Sequence, residues 1–385
     1  MDLSYPPEAE SFRGEIRIWL EANLPDGWFE PGFRQSAHER TAWLQDWNRR
    51  LVEGGWLCAT WPREYGGRGL TTMQGVVLAE EFNRVSAPMR GDFFGDTLVG
   101  PTILQWGSEA QKQHFIPLIL RGAIAWCQGF SEPDSGSDLA SLRATAVADG
   151  DEWVINGQKI FITNGSVADF AVITAKTDPE KGTRGISAFI VEKGTPGFQP
   201  GRDEKKMGLK GSVTSELFFE DCRIPAENLL GKENEGFRQF LVTLDAGRVA
   251  IAAMAVGLAQ GAFERATAYA KERVQFGQPI AEFQAIQWMI AEMATEIEAA
   301  RLMVHRAAWL KEQGARFTKE AAMAKLLATE TSERVCRKAI QVHGGYGYMR
   351  EYAVERMYRD QRLCSIGEGT NEIQRLVIAR QVLGR

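Results

Sequence analysis

At 385 residues the chain is too long for one comfortable hydrophobic core, and two or three domains are expected. A hydrophobic fraction of 44%, a charged fraction of 25% and a formal net charge of −5 fit an ordinary soluble globular protein and give no basis for a nucleic-acid surface. The five cysteines, Cys58, Cys127, Cys222, Cys336 and Cys364, are scattered without a CxxC pair, so neither a disulfide framework nor a zinc site is indicated. No basic segment leads into an apolar run at the N-terminus, and no apolar stretch is read as reaching the roughly 18 residues of a membrane span. A soluble, cytoplasmic protein is expected.

From Pro7 to Gly122 the pattern is helical: Ile16, Trp19, Leu20 and Leu24 recur at helical spacing. Further helices are expected over His38 to Gly54, Gln74 to Val85 and Ala110 to Leu120, with a breaker cluster from Gly55-Trp56 to Gly69 between the first two. Between Ala123 and Glu233 the texture changes to short apolar segments bounded by turn residues, among them Phe170-Ala171-Val172-Ile173 and Ile186-Ser187-Ala188-Phe189. No helical pattern intervenes, so an antiparallel sandwich or barrel is expected there. After Gly236 the chain turns helical again. Val249 to Gly261 is dense in alanine and glycine, which permits close helix packing, and Phe283, Ile286, Ile290, Met293, Ile297, Ala300 and Val304 form the seam of a bundle helix. The expected architecture is α+β: a helical domain (1–122), a middle β domain (123–233) and a C-terminal helical bundle (234–385).

Motif absences narrow the chemistry. The chain has no GxGxxG, GxxxxGK[ST] or GxSxG, and His38, His114, His305 and His343 are far apart, so dinucleotide, P-loop, serine-hydrolase and histidine-metal readings lack support. Four loops carry the polar and glycine residues that a ligand could use. They are Phe130-Ser131-Glu132-Pro133-Asp134-Ser135-Gly136-Ser137, Arg273-Val274-Gln275-Phe276-Gly277, Gln341-Val342-His343-Gly344-Gly345 and Glu368-Gly369-Thr370-Asn371-Glu372. Taken singly, each has an ordinary structural explanation as a turn, a connector, a helix cap or a helix start.

Together they resemble the acyl-CoA dehydrogenase family. The likeness rests on Glu132-Pro133-x-Ser135-Gly136-Ser137-Asp138, on Ile155-Asn156-Gly157 running into Phe161-Ile162-Thr163-Asn164-Gly165, and on Pro62-x-Glu64-Tyr65-Gly66-Gly67-x-Gly69 upstream. The resemblance implies FAD as cofactor. Phe130, Ser131, Ser137, Phe161 and Thr163 would lie on the flavin-ring side, Arg273, Gln275 and Phe276, with Gln284 nearby, would reach the pyrophosphate and adenosine of the FAD held by a neighbouring subunit, and Gln341, Gly344 and Gly345 would lie against the adenosine half. Thr370 and Glu372 would complete the cofactor contacts.

It also implies a substrate site at Ser137, Asp245, Arg248 and Gly369, with no metal. Glu368 stands where medium-chain-type members carry the catalytic base, and Gly247 occupies the family's other location for that glutamate. Two departures are visible: Phe161 replaces a tryptophan of medium-chain relatives, and Gly367 replaces the tyrosine common before the base. The implied reaction is FAD-dependent oxidation of an acyl-CoA to a trans-2-enoyl-CoA, as in β-oxidation, by a homotetramer or dimer that passes electrons to an electron-transfer flavoprotein. The alternatives are a flavin monooxygenase or oxidase on the same fold and a non-catalytic subunit of a heteromeric dehydrogenase.

Overall fold

A computed structural model describes residues 7–33, 35–88 and 92–384. Met1–Pro6, which belong to the N-terminal stretch read above, lie outside the described residues. The chain opens with helices α1 (Pro7–Asn23), α2 (Ala37–Glu53), α3 (Thr72–Arg84), α4 (Gly100–Trp106) and α5 (Glu109–Leu120). Their starts are marked locally: Ser36, Thr71 and Ser108 each accept a hydrogen bond from the backbone three residues on, and Glu39, Gln74 and Gln111 return the bond as capping boxes.

The β segment holds β1 (Trp126–Gly129), β2 (Thr145–Asp149), β3 (Glu152–Thr163), β4 (Phe170–Lys176), β5 (Ile186–Glu192), β6 (Phe198–Asp203) and β7 (Thr214–Pro225). They form one seven-stranded sheet in the order β1-β4-β2-β3-β7-β6, with β5 on β4. The sheet corrects the expectation of a purely antiparallel domain, because β1 runs parallel to β4, and β2 meets β4 through a parallel pair at Thr145 and Lys176. The physical reason is the long return: the β2–β3 hairpin lies between β1 and β4 in sequence and gives the chain room to come back in the same direction. A core of its own, including Ile155, Ile173, Phe189, Leu217 and Phe219, fills this segment.

The remaining helices are α6 (Gly236–Glu272), α7 (Gln284–Glu312), α8 (Thr318–His343), α9 (Ala353–Gln361) and α10 (Asn371–Val382), with a short hairpin, β8 (Val274–Gln275) and β9 (Gln278–Pro279), between α6 and α7. The two helical segments share one continuous core, which contains Trp47, Leu78, Val256, Ile297 and Val335. Gly257 explains how α6 approaches α3, since a Cβ there would stand 2.4 Å from the Glu80 carbonyl oxygen. α6 is long and apolar enough to cross a membrane by length and composition, contrary to the sequence reading; its alanine-rich face is instead buried in this core.

Candidate active site

The loop after β1 is built around Glu132. Its carboxyl accepts hydrogen bonds from the Arg143 and Ala144 N–H groups at 2.5 and 3.0 Å and from the fully buried Lys159 Nζ at 2.7 Å. The Ile160 N–H donates to the Ser131 carbonyl at 2.9 Å, so the loop is fastened to β3. One residue later a bulge interrupts the β3–β7 register between Lys159 and Ile162. Phe161 sits in it with φ of +59°, and its side chain is turned out to 70% exposure. Thr163, two residues on, and Phe130 and Ser131 of the loop after β1 are half-buried, and Ser137 is exposed.

A second arrangement joins α6, α8 and the turn before α10. Glu368 and Gly369 have φ of +54° and +83°, and the Thr370 hydroxyl caps α10 by accepting from the Ile373 N–H at 3.3 Å. This turn carries the Glu368 carboxyl onto α6. There, an atom added at the Cβ position of Gly247 would lie 3.0 Å from Glu368 Oε2 and 3.7 Å from Leu98 Cδ2. The family's two alternative positions for the base are therefore in contact in space, and Gly247 leaves room for Glu368.

Glu368 is half-buried, and desolvation of its carboxyl raises its pKa; the Lys325 and Arg248 charges act in the opposite sense. Arg248 is itself buried, donating to Asp245 Oδ1 at 2.5 Å, and the Thr318 hydroxyl donates to Asp245 Oδ2 at 2.6 Å. Asp245 and Arg248 thus form an intrahelical ion pair near Glu368.

The third arrangement is a cleft of about 490 Å³ lined by residues that include Arg273, Gln275, Gly344, Gly345 and Tyr346. Two loops that are 70 residues apart in sequence meet here. The Arg273 guanidinium lies 5.4 Å from the Tyr346 ring centre, and buried His343 stacks on Tyr269 at 4.4 Å, with burial lowering its pKa. The cleft does not take in Phe276, Gln284 or Gln341: Phe276 stands 95% exposed at the tip of the β8–β9 hairpin, and the two glutamines are exposed at the start of α7 and the end of α8. Glu372 is exposed in the first turn of α10.

The donor set fits FAD. Arg273 offers a two-pronged donor for a pyrophosphate, the glycine pair allows close approach to a nucleotide, and Phe161 presents an aromatic face. Sequence reading missed Lys159, Lys325 and Asp92. Burial raises the Asp92 pKa to about 7 despite hydrogen bonds from the Trp126, Gly95 and Phe94 N–H groups. A lysine amid apolar neighbours was the available signal for the first two.

Comparison with known proteins accords with this geometry. Models of the acyl-CoA dehydrogenase N-terminal, middle and C-terminal domains match residues 6–123, 127–222 and 234–383. The chain is 42% identical to an acryloyl-CoA reductase (NADH) of Anaerotignum propionicum, across 100% of this chain and 97% of the relative. It is 46% identical to the caffeyl-CoA reductase-Etf complex subunit CarC of Acetobacterium woodii, across 87% and 88% of the two chains. Among solved structures, butyryl-CoA dehydrogenase from Megasphaera elsdenii superposes with a TM-score of 0.88 at 37% identity, covering 100% of both chains. The chain belongs to the acyl-CoA dehydrogenase family. It is an FAD-dependent oxidoreductase.

Proposed function

We propose that the protein oxidises an acyl-CoA to its trans-2-enoyl-CoA, with Glu368 removing the pro-α proton as a hydride leaves the β carbon. The observation that carries this reading is the Glu368 carboxyl, held against Gly247 by a turn with positive φ. FAD, when bound, supplies the hydride acceptor.

The chain's own residues do the rest. A carboxyl with a raised pKa is a stronger base once ionised, and Lys325 and Arg248 favour the ionised form in a site that excludes water. The Glu368 N–H would donate to the thioester oxygen as negative charge develops there. Arg273, Gln275 and Phe276, with Gln284 nearby, would reach the pyrophosphate and adenosine of the FAD of a neighbouring subunit in a homotetramer, and Gln341, Gly344 and Gly345 would lie against its adenosine half. Phe130, Ser131, Ser137, Phe161, Thr163, Thr370 and Glu372 would hold the ring half. Ser137, Asp245, Arg248 and Gly369 would line the way to the thioester. The electron acceptor would be an electron-transfer flavoprotein, a reading supported by the relative named as part of an Etf complex, and the setting would be the cytoplasm.

Glu368→Gln keeps the volume and the backbone N–H but cannot accept the proton. It should fold, keep its yellow colour and bind acyl-CoA, while anaerobic flavin bleaching slows by roughly 10²–10⁴-fold across a panel of acyl-CoA chain lengths. Bleaching near the wild-type rate would place the base elsewhere. The same residues would serve the reverse reaction, a second reading favoured by the relative named acryloyl-CoA reductase. Faster reoxidation of reduced enzyme by an enoyl-CoA than by an electron-transfer flavoprotein would select it.

A further inference from the structure

We propose that Lys325 is the positioning residue of the base-bearing turn: its ammonium pins the Gly369 carbonyl and so places a positive charge one residue from Glu368, a role that rests on Glu368 being the base. Lys325 lies in the first third of α8 and is fully buried, on a face with Ala321, Ala324, Ala328 and Thr329. An ammonium withdrawn from water is costly unless something charged compensates it. Yet Nζ donates, at 2.5 Å, to the neutral carbonyl of Gly369. That carbonyl already accepts a hydrogen bond from the buried Gln374 amide at 2.8 Å, and the same amide reaches the Glu368 carbonyl at 3.3 Å. Holding the turn does not by itself call for a charge.

The groups that face Lys325 supply the reason. They are Glu368 and Glu372 from the turn and the first turn of α10, Arg248 from α6, and Cys364 from the segment before the turn. Glu372 is exposed and solvated, Cys364 is a buried thiol whose pKa burial pushes up to about 12, and Arg248 is bonded to Asp245. Glu368 is the desolvated acid among them. Burial alone would drive it to the neutral form, in which it could not take a proton, and Lys325 works against that. The residue thus links two needs of the site, a strained turn that must not relax and a dry carboxylate that must stay ionised. Burial also lowers the Lys325 pKa, to about 8, so the charge is present below that pH and lost above it.

The test follows the pH dependence of anaerobic flavin reduction in Lys325→Met, Lys325→Gln, Gln374→Met and Glu368→Gln, with thermal melting and flavin content recorded for each. Methionine removes both charge and hydrogen bond, whereas glutamine can still donate to Gly369 but carries no charge. Both Lys325 variants should move the acid limb of the profile upward by about one pH unit or more, which makes reduction on that limb roughly tenfold slower. Lys325→Gln should approach the wild-type rate as pH nears 8, whereas Lys325→Met, which also loses the bond to Gly369, should stay slower at every pH. Gln374→Met loosens the turn without removing charge and should leave the limb in place. A uniform loss at every pH in Lys325→Gln, or an unmoved limb in either folded Lys325 variant, would overturn the proposal while leaving the base assignment intact, provided Glu368→Gln remains slow. Wild-type rates in Glu368→Gln would instead sink the base assignment itself.

Discussion

Glu368 and Phe161 share a backbone trait: both occupy the left-handed region, at φ of +54° and +59°, without being glycine. Such positions cost on the order of 1–3 kcal/mol and persist where surrounding structure fixes them. For Phe161 the fixing element is the β-bulge, and for Glu368 it is the set of bonds from Lys325 and Gln374 to the turn. Gly247 is the complementary residue, because its missing side chain is the space the carboxyl uses. Gly247→Ala would put a Cβ 3.0 Å from Glu368 Oε2, closer than nearly all real Cβ contacts, so the carboxyl must shift by a few tenths of an ångström. Alanine in a helix interior is favoured over glycine by about 1 kcal/mol. The variant should therefore melt no earlier than the wild type, yet reduce its flavin on the order of tenfold more slowly, because proton abstraction depends on sub-ångström placement. Unchanged kinetics would mean that the base has another resting position.

Helix α3 presents Glu81 to three arginines at once: Arg13 and Arg17 of α1 at 2.7 and 2.9 Å, and Arg84 of its own last turn at 2.7 Å. Burial pushes the Glu81 pKa up, but the Arg17 hydrogen bonds, the Arg84 charge and the Arg13 hydrogen bond outweigh it and hold the carboxyl at about 2, below its ordinary 4.5. A depressed folded pKa stabilises the protein above pH 4.5, and the contribution is lost as pH falls toward 2. The shift corresponds to about 3 kcal/mol. Urea denaturation at pH 7 should find Glu81→Gln less stable by that order, with the gap closing on acidification; a gap independent of pH would assign the loss to packing instead. These inter-element contacts mark the boundary of what the sequence discloses. Helix and strand positions were legible because periodicity and turn residues are local. The Glu368-Gly369-Thr370 pattern marked the turn before α10, and the seam of α7 was legible through its spacing, with Met293, Ile297, Ala300 and Val304 buried as expected. The parallel entry of β1 and the contact between Gly247 and Glu368 were not. Each depends on which distant segment arrives opposite a residue, and no neighbouring residue records that.

At the scale of the whole molecule the surface is unfinished around the β8–β9 hairpin. The hairpin turns on Phe276 and Gly277, both with positive φ at +52° and +81°, the geometry of a two-residue type I′ turn. It thrusts Phe276 into solvent at 95% exposure, next to the cleft holding Arg273, while Trp288 and Trp309 of α7 are more than half exposed. Covering a phenylalanine is worth roughly 1.5–3 kcal/mol, so a second copy of the chain seated on the hairpin would gain that much at each tip. Phe276 stands apart from the cleft, and the resemblance has it reach the FAD of a neighbouring subunit, so the shared site is open to a direct test. Phe276→Ser should leave the fold of one chain untouched, weaken self-association by a factor on the order of ten or more, and lower FAD retention in step with it. Sedimentation followed at the flavin absorbance reads both quantities in one experiment. Monomers that retain a full complement of FAD would refute the shared site, and an undisturbed assembly would show that Phe276 is not covered by another subunit.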